Sequence, residues 1–129
     1  MVCIPYTATV EREINMAIDF YSAKSHRDME KGKMTGHAVL EDGLQDFLLK
    51  FEDEIDLDAN CILELDSYGD LLLGKSSIQE LMVVCGGLKQ HKVLKNYKRY
   101  DLAFHSLIEL EKLCQLALEN DEYIWVCGD

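Results

Sequence analysis

"EYIWVCGD", Glu122 to Asp129, is the stretch from which the fold class follows. Tyr123, Ile124, Trp125 and Val126 are aromatic and β-branched in unbroken succession, the residues that fit a pleated, half-buried surface. "YIWVC" therefore reads as a strand. The residues before it read otherwise. Ala103, Leu107, Leu110, Cys114 and Ala117 recur at helical spacing and predict a long helix over about 101–119. A chain that passes from such a helix into such a strand is neither all-α nor all-β.

Working back from that pair, "LKQHKVLKNYKRY" is a basic segment carrying Lys89, Lys92, Lys95, Lys98 and Arg99. Before it, Ile78, Leu81, Met82, Cys85 and Leu88 form a helical stripe. Ser77 and Glu80 fit a capping box at its start, and Gly86–Gly87 are expected to end or loosen it. "CILEL" (61–65) is short, apolar and partly alternating, and reads as a strand. "AVLEDGLQDFLLKFEDEI" (38–55) is the clearest amphipathic helix, weakened by Gly43. Its apolar face is Leu40, Leu44, Phe47, Leu48, Phe51 and Ile55, and its opposite face is Asp42, Asp46, Leu49 and Asp53. "KSHRDMEKGKMTGH" (24–37) breaks the apolar period and reads as an exposed connection or frayed helix end. A helix over about 10–23, capped by Thr9, and a short strand in "MVCIPYTATV" complete the pass. The expectation is one α+β domain of residues 1–129, with three to four helices packed on a small, mainly antiparallel sheet.

Charge is less ordinary than the pattern. There are 24 acids against 13 Lys plus Arg, a net charge of -11. From Glu41 to Asp70 eleven acids stand against the single cation Lys50, so that segment alone carries -10. Such a block repels itself unless it is well solvated or meets a cationic partner. Leu49, ringed by carboxylates, resembles the centre of an electrostatically steered interface. The same balance argues against free nucleic acid and against an anionic membrane surface as ligands.

Motifs for chemistry are not supported. Cys3, Cys61, Cys85, Cys114 and Cys127 are odd in number and contain no C-x-x-C, and most sit in apolar runs. They read as buried, reduced thiols, which favours a reducing cytosol. The histidines His26, His37, His91 and His105 have no i+3 or i+4 pairing for zinc. A calcium loop begun at Asp53 would leave Asp56 and Asp58 off the ligand positions and lack the central glycine. "CGGLK" lacks P-loop spacing. No signal peptide and no membrane-spanning run is recognised. No cofactor or metal is implied.

"LDSYGD" (65–70) reads first as a turn: Asp66 closes an Asx-type turn and Gly69 supplies a left-handed residue. Together with Gln79 ahead of a leucine-rich helix and the ending "YIWVCGD", it also resembles a pattern in small acidic bacterial immunity proteins of polymorphic and contact-dependent growth inhibition toxin systems. The resemblance runs from Cys61 onward. This chain has Leu71 after Asp70 where a threonine is usual. The resemblance implies a cytoplasmic, non-enzymatic, stoichiometric inhibitor whose partner is a basic toxin domain, a nuclease by preference. The contact surface then expected is Asp42, Asp46, Leu49, Asp53, Asp56 and Asp58, extended by Asp66, Tyr68 and Asp70. Two alternatives stay open: a phage-type inhibitor or nucleic-acid mimic that binds a basic protein, and a small hydrolase with a carboxylate site.

Overall fold

The computed structural model describes residues 18–41, 43–55, 60–63 and 70–128. The elements in order are β1 (Ile18–Ala23), α1 (His26–Glu30), β2 (Gly36–Leu40), α2 (Leu44–Lys50), α3 (Asn60–Leu63), β3 (Asp70–Leu73), α4 (Lys75–Lys89), α5 (Tyr100–Glu119) and β4 (Tyr123–Gly128). Short 3-10 turns follow α2 at Glu52–Glu54 and α4 at Lys92–Asn96. The four strands form one antiparallel sheet in the order β2-β1-β4-β3. The architecture is α+β.

β4 is the strand that "YIWVC" announces, and it lies inside the sheet between β1 and β3. Its alternation divides the molecule. Ile124 and Val126 join Ile18 and Phe20 of β1, Ala38 and Leu40 of β2 and Leu73 of β3 in the main core. Trp125 and Cys127 face the other way and pack with Tyr21, Ala23 and Met29 in a second cluster. α5 presents Ala103, Leu107, Leu110, Cys114 and Ala117, all fully buried, to the main core. It packs along α4 and across β2. Each large side chain removed from water there contributes about 1.5–3 kcal/mol.

Several local expectations are corrected. Ile18–Ala23 belongs to a strand, although the expected helix ran to residue 23. Five of its six residues are buried because both faces of the sheet are covered there, so its apolar run imitates helical spacing. Residues 10–17 lie outside the described residues, as does the strand expected in "MVCIPYTATV". The connection over 24–37 is folded: Ser25 accepts a hydrogen bond from Asp28 N and caps α1, whose Met29 is buried. "CILEL" begins as one helical turn, with Ile62 fully buried, and its last residues lie outside the described set. α4 starts at Lys75 behind Gly74, so Ser77 stands inside the helix and caps nothing. α4 also runs through Gly86–Gly87 to Lys89. A Cβ on Gly86 would come within 3.1 Å of Glu111 Oε2, so the glycine lets α5 approach closely. Buried Cys85 and Leu88 hold that turn in place.

Candidate functional site

The acidic helix is shorter than its sequence period. Leu40 ends β2, Gly43 lies in a turn, and only Leu44–Lys50 is α-helical. Gly43 has φ of 90°, a left-handed conformation that interrupts the helical run. The apolar stripe nevertheless faces inward as the spacing predicts. Leu40, Leu44, Leu48 and Ile55 are buried, and Phe47 and Phe51 pack half-buried against the same core. Gln45 Nε2 donates to Ile62 O at 2.8 Å and ties α2 to α3.

The outward side carries the charge. Asp46, Lys50, Glu52, Asp53 and Glu54 are exposed, and Leu49 among them is 59% exposed. α2 and the 3-10 turn after it thus bring Asp46, Leu49 and Asp53 to one solvent-facing stretch. Asp70 opens β3 and is exposed. The register places it opposite Cys127, next to the Gly128–Ile18–Leu40 row from which the chain leaves for α2. Asp70 and Leu40 therefore share one end of the sheet, on opposite edges, three strand spacings or about 14 Å apart. Asp42, Asp56, Asp58, Asp66 and Tyr68 lie outside the described residues.

Among the described acids of the block, Glu41 is internal. The Glu41 side chain is only 7% exposed, and Arg99 Nη2 stands 2.7 Å from its Oε1. Tyr97 donates its hydroxyl proton to the other carboxylate oxygen. Tyr97 also stacks at a tilt on Phe47, with ring centroids 4.9 Å apart, and Phe47 on Phe51 at 4.7 Å. A Cβ on Gly43 would lie 2.8 Å from Tyr97 Oη and 3.3 Å from Arg99 Nη2. Burial and then the Glu41 carboxylate push the Tyr97 hydroxyl up to about 12, against an ordinary 10.0. The phenol stays a donor throughout the neutral range. Sequence reading marks the basic segment but names no pair. The signal was present: Arg99 is part of the only dense run of cations after the acidic block.

Among the described residues the thiols are the nucleophiles to weigh for bond-making chemistry. Cys61, Cys85 and Cys114 stand outside any disulfide; Cys85 and Cys114 are fully buried and Cys61 is half-buried. Burial, then the neighbouring thiol Cys61 and Glu111, pushes Cys114 up to about 12. Burial and the thiols of Cys114 and Cys61 raise Cys85 further. These are poor nucleophiles at neutral pH. Cys127 is disulfide-bonded, which corrects the expectation of a reduced thiol there. Among the described residues no three His, Cys, Asp or Glu side chains are grouped to hold a metal ion. A depression of about 440 Å³ lies between the outer sides of α4 and α5, lined by Met82, Val83, Gly86, Glu111, Lys112 and Gln115. The Glu111 carboxylate is taken up by an ion pair with Lys89. No helix among the described residues is long and apolar enough to cross a membrane. Set against known proteins, the chain matches no family model, no curated protein and no solved structure.

Proposed function

We propose that this protein is a non-enzymatic immunity protein: a stoichiometric inhibitor that docks on a cationic toxin domain, a nuclease by preference, through the outward side of α2 and the 3-10 turn behind it. The observation that carries the reading is Leu49, 59% exposed among the exposed residues Asp46, Lys50, Glu52, Asp53 and Glu54, in a segment of net charge -10. An apolar anchor inside a charged rim is the arrangement of a steered interface: the rim speeds encounter and the anchor slows departure. A nuclease presents cations because it binds phosphates, so the two surfaces complement each other. Inhibition comes from covering the toxin's site or a surface beside it, with no reaction on this chain. The place of action is the cytosol. Cys61, Cys85 and Cys114, outside any disulfide, support a reducing compartment, and the bonded Cys127 argues the other way.

Stopped-flow mixing with the toxin domain encoded beside this gene tests the reading. The association rate should fall about tenfold or more between low and high salt. The Asp46→Lys/Asp53→Lys variant should associate more slowly and lose part of the salt dependence while keeping its Tm. An association rate indifferent to salt and to both reversals would sink the proposal. Phage genes around the locus, in place of a toxin gene, would favour a nucleic-acid mimic using the same surface.

A further inference from the structure

The internal acid at the head of α2 has a role that charge counting misses. Placing a carboxylate almost wholly out of water is costly unless it is paired and hydrogen-bonded. Glu41 is both, through Arg99 and Tyr97. The two partners come from the short stretch between the 3-10 turn and α5, far along the chain. They lie directly over the left-handed turn at Gly43, which has no side chain to keep them off. The Tyr97 ring then continues the contact onto Phe47, one turn into α2. α2 has only seven residues and no side-chain cap on its first turn. A helix that short is not stable on its own period. Its orientation is therefore set from outside: Leu44 and Leu48 seat its inner face in the core, Glu41 and Phe47 fix one end, and Gln45 on Ile62 O fixes the flank.

We infer that Glu41, Tyr97 and Arg99 are positioning residues that hold α2 at a fixed angle and so present Leu49 and Asp46 as a preformed surface. The clamp itself stands on the geometry; its purpose rests on the docking reading above. A preformed surface loses less conformational freedom on binding, and the gain falls mainly on dissociation. Glu41 also leaves the set of carboxylates open to a partner, since its charge is already matched by Arg99.

The discriminating variant is Tyr97→Phe, which keeps the ring on Phe47 and removes only the hydroxyl. Amide hydrogen exchange of the whole chain is the first measurement. Exchange in Leu44–Lys50 should speed up by about tenfold to a hundredfold, the factor that matches loss of a hydrogen bond to a charged group. The central amides of α4 and α5 should keep their rates. Unchanged exchange in α2, or an equal rise in every helix, overturns the clamp. Glu41→Gln, which still accepts from Tyr97 but gives up the ion pair, should show a smaller rise confined to the same residues. The second measurement is dissociation from the toxin domain of the neighbouring gene. Tyr97→Phe should leave faster with the salt slope of association unchanged, because no charge has been removed. A loosened α2 with unchanged dissociation overturns the positioning role. Failure of the wild-type protein to bind overturns the docking reading and leaves the exchange result to judge the clamp alone.

Discussion

Tyr97 shows how much one hydroxyl can be asked to hold. Its proton lies between a phenol ring packed on Phe47 and a carboxylate that has little other access to solvent. Its folded pKa of about 12 lies above the ordinary 10.0. The sign follows directly. Below pH 10 the phenol is protonated folded and unfolded, and the stability it contributes is fully present. Between pH 10 and 12 the unfolded chain gives up the proton more readily, so that stability is lost as pH rises. Urea denaturation of the wild-type protein should therefore weaken through this window. Tyr97→Phe should begin less stable at neutral pH and fall less steeply from pH 10 to 12. Parallel curves would place the ionisation elsewhere. Leu49 poses the opposite case at the same scale. It contributes little to folding, since a substitution at an exposed site of this kind shifts stability by only about 0.5 kcal/mol either way.

Among the elements, α5 sets the standard of what a sequence can show. Its five predicted core positions are all fully buried, because twenty helical residues give the 3.6-residue period room to declare itself. Leu110→Ala should cost about 2–5 kcal/mol, as buried leucine truncations do. Leu116→Ala, on the exposed side of the same helix, should stay within about 0.5 kcal/mol. Equal losses in chemical denaturation would mean that the face assignment is wrong. β4 was as legible, since its aromatic and β-branched run admits no helical reading. The stripe from Leu40 to Ile55 was legible as a buried face but not as one helix: it breaks at the left-handed Gly43, which lies under Tyr97 and Arg99, far away in sequence. β1 was misread because a strand covered on both faces loses the alternation by which strands are recognised. α1 and α3 are single turns or little more, too short for any period. Of the candidate surface, Asp46, Leu49 and Asp53 were readable from their spacing. The burial of Glu41, an acid of the same block, was not, because it is a tertiary contact.

At the scale of the whole molecule, the net charge of -11 is a standing cost that folding concentrates. Packing places at least Asp46, Glu52, Asp53 and Glu54 on a short stretch with Lys50 as their local cation. Screening relieves such repulsion. Tm should therefore rise as sodium chloride is added, the reverse of the expected effect of salt on toxin association. A Tm that fell with salt would show that internal ion pairs such as Arg99–Glu41 and Lys89–Glu111 outweigh the repulsion. The sheet carries a different consequence. β4 sits between β1 and β3, and Ile18 pairs with Gly128. During synthesis both neighbours wait on the ribosome for the strand that joins them. Until Tyr123–Gly128 emerges, β3 has no partner among the described strands and β1 has only β2. Pairings this distant are slow to form. Nascent chains interrupted before that strand would carry the acidic segment without the full sheet from which α2 departs, so only a chain that includes Tyr123–Gly128 could display a finished surface.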